Sequence, residues 1–192
     1  MFKSQIAETQ KNLELLSNNN DLINVIDAVV VEIFNALSSG LPVLVFGNGG
    51  SASDALHITG ELVGKFKQKR SALNVICLNS NVTVITAWSN DFEFDSVFSR
   101  QVEAHAKPNG ICWGLSTSGK SISVVNALRR AKELGMLTIL LTGQDGGSAK
   151  YFCDYKINVP SLSTPRIQEL HLPIYHYICE QIELKFISEP IN

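Results

Sequence analysis

Five short, almost wholly apolar runs alternate with longer amphipathic stretches, and that alternation narrows the possible folds of this chain more than any other feature. The runs span 42–46, 73–78, 110–115, 137–142 and 155–159, and helix-like stretches lie near 52–64, 94–106 and 121–135. A strand exposed on one face alternates apolar and polar residues, whereas a continuously apolar strand is covered on both. Strands of this kind alternating with helices point to a parallel sheet, and right-handed crossovers then put helices on both of its faces. The expectation is a doubly wound α/β fold, in which ligands lie beyond the carboxyl ends of the strands.

No repeat, low-complexity stretch or Pro/Gly-rich linker divides the 192 residues, and 45% hydrophobic content is ample for one core. A single domain over 1–192 is expected, with 1–39 an N-terminal helical segment. Residues 2–17 show a weak helical pattern. Residues 21–37 are apolar on more than one face, from Leu22, Ile26, Val29 and Ile33 round to Ile23, Val30 and Phe34, which suggests a helix buried in an assembly as well as in its own domain. Gly40 and Pro42 end it. The last helix is expected to start at Thr164-Pro165, since proline suits the first helical position, and to kink at Pro173, which cannot donate to the carbonyl of Glu169.

With 16 basic and 18 acidic residues the net charge is -2, so no global positive field draws nucleic acid or an anionic membrane. The stretch Met1-Phe2-Lys3-Ser4-Gln5 has no apolar leader character, and no run approaches the ~20 apolar residues of a membrane span. Cys77, Cys112, Cys153 and Cys179 are scattered and form no C-x-x-C pair, as buried free thiols would be. A cytoplasmic protein is expected.

Gly47-Asn48-Gly49-Gly50-Ser51 follows the first strand and opens a helix, where free amides favour an anion or a sugar hydroxyl. A purely structural tight turn is the plain alternative. Gly47, Gly49 and Ala52 also fit a dinucleotide fingerprint, but the next strand ends in Leu78-Asn79-Ser80 without the acidic residue that would hold a ribose. Ser116-Thr117-Ser118-Gly119-Lys120-Ser121 follows the third strand and brings four hydroxyls and the amides of another helix start, suited to a phosphate monoester. From Gly114 onward it also fits the nucleotide-triphosphate P-loop. The strand after it runs into Thr142-Gly143-Gln144, and Asp145 arrives too late to hold magnesium directly.

His57 and Glu61 are four apart and share a helix face, able to bind a divalent metal or carry a proton, or to form a solvated surface pair. Gln168 and His176 are eight apart, ~80° around an ideal helix. His171 is as good a candidate on spacing, and spacing does not choose among them. Asn90-Asp91 reads first as a turn, with a substrate-contact role only if it folds over the same strand ends.

Taken together, GNGGSASDALHITGEL, SNDFEFDSVFSR, STSGKS, LTGQDGG and RIQELHLPIYHYICEQIE make the chain resemble the phosphoheptose isomerases of the sugar isomerase (SIS) fold over nearly its whole length. The resemblance implies a five-stranded parallel sheet and a homotetramer with sites shared between subunits. It implies His57, Glu61, Gln168 and His176 as ligands of one Zn2+ per subunit, in preference to His171. It assigns Ser116, Thr117, Ser118 and Ser121 to the substrate phosphate, and Asn48, Gly49, Gly50, Ser51, Glu61, Asn90, Asp91 and Gln168 to the sugar. Glu61 and His176 become the proton-transfer pair. Pro165 departs from the pattern, standing before Arg166 where the family often has Asp.

The implied reaction converts sedoheptulose 7-phosphate to D-glycero-D-manno-heptose 7-phosphate through an enediolate, supplying heptose for surface glycoconjugates. Two other classes stand beside it: a non-catalytic relative that binds the replication initiator DnaA, and a P-loop nucleotide hydrolase. Retention of Glu61 and His176 favours the enzyme, since the resemblance implies an adaptor that lacks both.

Overall fold

The computed structural model describes residues 1–188. Two N-terminal helices, α1 (Phe2–Ser17) and α2 (Asn20–Ser38), precede β1 (Val43–Gly47), α3 (Gly50–Val63) and β2 (Val75–Cys77). Then come α4 (Val82–Asp91), a 3-10 turn at Phe94–Ser96, α5 (Val97–His105), β3 (Ile111–Ser116), α6 (Ile122–Glu133), β4 (Leu137–Thr142), β5 (Tyr155–Asn158) and α7 (Thr164–Ser188). All five strands are parallel, in the order β2-β1-β3-β4-β5. The doubly wound architecture is as expected.

Because successive side chains of a strand face opposite ways, each apolar run serves two cores. Val43, Val45, Trp113, Leu115, Ile139 and Leu141 pack with α2, α3 and α7. Leu44, Phe46, Cys112 and Leu140 face the other way, against Phe98, Val102, Val124 and Leu128 of α5 and α6. All of these are buried to within 1% of full. Each large aliphatic or aromatic side chain so buried contributes roughly 1.5–3 kcal/mol, which is why apolar residues dominate β1, β3 and β4; the buried Thr138 and Thr142 hydroxyls of β4 are each hydrogen-bonded.

Strand order reverses between β1 and β3, which are neighbours although α3, β2, α4 and α5 lie between them in sequence. The loops leaving these two strands therefore open into one crevice, the usual ligand position of such a sheet.

Two local expectations need correction. Asn90 and Asp91 are not a free turn but the last residues of α4. Its start, Val82-Thr83-Val84-Ile85-Thr86, is rich in β-branched residues with low helix propensity, yet Asn81 caps it by accepting from the Val84 amide at 3.1 Å. The stretch expected as one helix over 94–106 is a 3-10 turn followed by α5, with the Ser96 hydroxyl taken by Trp88 Nε1 at 2.8 Å. Pro165 does occupy the first turn of α7, which runs on through Pro173 to Ser188. The carbonyl deprived of its donor there belongs to Glu169, an exposed residue. All four cysteines are free, and three are buried.

α1 is lightly held. Asn12 is its one buried residue, and Thr9 bonds Glu169 and Arg166 of α7 at 2.9 and 2.8 Å. Phe2, Ile6, Leu13 and Leu15 are exposed.

Candidate active site

Gly47 ends β1, and the chain turns into α3 within three residues. Asn79 holds this corner from both sides: Gly47 N donates to Asn79 Oδ1 at 3.1 Å, and Asn79 Nδ2 donates to the Gly47 carbonyl at 2.9 Å. The residue standing where a dinucleotide enzyme would present its ribose-binding acid is thus committed to backbone. Asn48 Nδ2 reaches across the crevice to donate to Ser121 Oγ at 2.6 Å and Ser123 Oγ at 2.9 Å. Ser121 accepts from Asn48, so its own hydroxyl proton can turn either to Ser123 Oγ at 3.4 Å or to a ligand.

Between the two loops lies a cavity of about 310 Å3, lined by Asn48, Gly49, Gly50, Ser51, Ser116, Thr117, Ser118, Ser121, Thr164 and Gln168. The four hydroxyl residues expected for phosphate and five of those expected for the sugar therefore share one space. Gln168 enters because residue 50 has no side chain: a Cβ there would stand 2.3 Å from Gln168 Nε2. Lys120 is exposed and Asp145 binds Lys150 and the Gly147 amide at 2.9 and 3.0 Å, so neither P-loop partner faces this cavity. Thr164 is a lining residue that motif spacing did not single out. It sits one position before Pro165, which does not line the cavity.

α3 and α7 run side by side in the same direction, so residues further along each helix meet at a second level. There His57 Nε2 lies 3.0 Å from Glu61 Oε1, and the ring of His176 stands 5.0 Å from that of His57 at 85°. Tyr175 OH is 3.0 Å from His57 Nδ1 and donates to Asp54 Oδ1 at 3.4 Å. Burial raises the Asp54 pKa, against lowering by Tyr175 and His57. Burial also pushes the Tyr175 phenol up, with Asp54 adding to it. The His176 pKa is lowered by burial and by the positive field of His57, with Glu61 opposing. Asp54 and Tyr175 were missed in the sequence, although Asp54, His57 and Glu61 follow one helical stripe.

Three of the four expected metal ligands, His57, Glu61 and His176, are thus gathered, while Gln168 is two turns up α7, ~12 Å of helical rise from His176. His176 Nε2 is buried without a hydrogen-bond partner, an available nitrogen donor beside a carboxylate and a second imidazole. That donor set fits a zinc-type ion in chemistry. Among the described residues, however, no three His, Cys, Asp or Glu side chains of one chain are already arranged to hold a metal.

His171 is wholly buried, and burial lowers its pKa to about 4, only partly offset by the nearby Thr142 carbonyl. It is a core imidazole. Asn90 and Asp91 are not brought to the 310 Å3 cavity; Asp91 lines a separate space of about 540 Å3 with Trp88, Arg100 and His105.

The SIS domain profile matches residues 6–143. A phosphoheptose isomerase of Geotalea daltonii is 46% identical over 188 residues, 98% of this chain and 97% of that protein. The chain belongs to the phosphoheptose isomerase family. Within that family, the protein from Crocosphaera subtropica is 51% identical over 151 residues, 79% of this chain and 77% of that one. The solved phosphoheptose isomerase of Francisella tularensis superposes with a TM-score of 0.92 at 32% identity, covering 96% of this chain and 97% of its own. That of Neisseria gonorrhoeae gives 0.89 at 33%, covering 95% and 97%.

Proposed function

We propose that the chain isomerises D-sedoheptulose 7-phosphate to D-glycero-D-manno-heptose 7-phosphate. The observation that carries this is a hydroxyl-lined cavity at the reversal of strand order, in a chain alignable end to end with phosphoheptose isomerases. The hydroxyls and amides of 116–121 anchor the phosphate, and the 48–51 turn and Gln168 hold sugar oxygens. Glu61 removes a proton from C1 of the ketose and returns it to C2, while His176 moves a proton between the two oxygens of the enediolate. A carboxylate is a competent base once partly desolvated, and Glu61 is about one-fifth exposed. His57, Glu61, His176 and Gln168 would hold one zinc ion per subunit, which when bound polarises the carbonyl and stabilises negative charge.

Eleven residues of α3, ~16 Å of rise, separate Gly50 from Glu61, more than a seven-carbon ester spans. The reading therefore includes a homotetramer whose sites are shared between subunits, each cradle served by a neighbour's residues, with Asn90 and Asp91 also contributing across subunits. The exposed apolar residues of α1 and α2, Phe2, Ile6, Leu13, Ile23 and Val31, support such assembly. No helix among the described residues is long and apolar enough to cross a membrane, and four free thiols support a cytoplasmic location. The product would supply heptose to surface glycoconjugates.

A coupled assay with sedoheptulose 7-phosphate, run before and after chelation with metal analysis alongside, tests the reading. Turnover that disappears with the metal and returns with zinc is expected. No turnover of this ester by metal-replete protein would overturn it.

A further inference from the structure

The 116–121 loop can offer its amides to an anion only if its carbonyls are turned elsewhere, and the segment after β4 turns them. Thr142 Oγ1 donates to the Ser116 carbonyl at 2.6 Å, Gly143 N to the Thr117 carbonyl at 3.1 Å, and Ala149 N to the Gly119 carbonyl at 2.9 Å. The amides of Thr117, Ser118 and Ser121 donate to no protein acceptor among the described residues. The two segments touch backbone to backbone. Gly119 and Gly147 both have positive φ, 62° and 51°, and a Cβ on Gly119 would stand within bonding distance of the Gly146 carbonyl oxygen, while one on Gly147 would lie 2.5 Å from the Gly119 carbonyl. Midway along, the segment is tied by Asp145, whose carboxylate accepts from Gly147 N and Lys150 Nζ.

We propose that the segment 142–149 is the positioning element of the phosphate site, with Thr142 its principal residue. Thr142 is fully buried and does not line the cavity; it acts by holding the Ser116 carbonyl back against β4, so that the next two amides and the Ser118 and Ser121 hydroxyls converge on one point. The Ser116 carbonyl also accepts from Gly119 N at 3.1 Å; without the Thr142 hydroxyl that bond alone would hold it, and the loop would tighten toward Gly119 and rotate its amides out of register. Thr142 and Ser116 are neighbours across the β3/β4 ladder, so the clamp is built into the sheet rather than into the loop. This inference rests on reading 116–121 as the phosphate site.

The test is titration with inorganic phosphate, together with KM and kcat for sedoheptulose 7-phosphate. Thr142→Val, isosteric but without the hydroxyl, is expected to raise the phosphate Kd and the KM roughly tenfold, as for loss of one buried hydrogen bond, with a smaller fall in kcat. Thr142→Ser should restore both. Ser118→Ala serves as the control for the reading itself: if it weakens phosphate while Thr142→Val does not, the positioning role is overturned. If Ser118→Ala leaves phosphate binding untouched, the cradle reading fails instead, and this inference with it. Should Thr142→Val not fold, Asp145→Ala releases the same segment at its exposed middle, and an unchanged phosphate Kd there also overturns the proposal.

Discussion

Tyr175 places its hydroxyl 3.0 Å from His57 Nδ1, which leaves Nε2 of the same ring facing Glu61 Oε1. The ring is therefore oriented by a buried residue on the opposite helix. Tyr175→Phe should lower kcat at least tenfold, because His57 becomes free to turn and Asp54 loses its donor. A stability loss of about 1–3 kcal/mol is expected with it. Denaturant unfolding and steady-state kinetics measure the two effects separately; kcat equal to that of the parent protein would show that the Tyr175 contact does not govern the site.

Gly50→Ala is expected to fold and to bind substrate poorly. The added methyl meets the flexible end of Gln168 rather than backbone, so Gln168 moves off the cradle and the helix gains a better former. Roughly a tenfold rise in KM with an unchanged or slightly higher melting temperature is the predicted pattern, set by one lost substrate hydrogen bond. Unaltered KM would remove Gln168 from the sugar-binding set.

Glu61→Gln should reduce isomerisation by at least 10²-fold, the usual scale for loss of a general base, while phosphate binding and the melting temperature stay close to parental values. Residual turnover within a few-fold of normal would assign the C1 proton to another group.

Glu183 supplies a pH test of the scaffold. It is 2% exposed and accepts from the amides of Phe66, Lys67 and Gln68 at 2.9, 2.7 and 2.9 Å, tying the end of α7 to the chain leaving α3. Burial alone would raise its pKa, but these amides and Arg70 hold it below the ordinary 4.5. A depressed folded-state pKa contributes stability that is complete above the unfolded value and disappears as pH falls through the folded one. Glu183→Gln should thus cost about 2–4 kcal/mol at pH 7 and progressively less below about pH 4.5. Urea unfolding of both proteins from pH 7 to pH 3 would show it, and a constant difference across that range would contradict the assignment.

Much of this fold was legible because a two-sided parallel sheet demands unbroken apolar strands, and all five runs became strands within a few residues. That the 47–51 and 116–121 loops open at the same end of the sheet was legible too, since each directly follows a strand, and the structure shows them lining one cavity. α4 was not, because its β-branched start argues against helix and only the Asn81 cap and packing override that preference. Asp54 and Tyr175 were hidden for a different reason. Their role is a hydrogen bond between side chains 121 residues apart, and no spacing rule sees across two helices.

Local pattern and composition therefore determined the layer architecture, the position of the ligand crevice and the residue types available in it, since backbone geometry and burial act over a few neighbouring residues. Which side chains meet was decided by the tertiary structure alone. Parallel packing of α3 on α7 put His57 beside His176 and Gln168 beside Gly50, and it sent His171 into the core although its spacing was as good. That outcome depends on the rotation of one helix against another, which is set by how their side chains interdigitate and is written in no single segment.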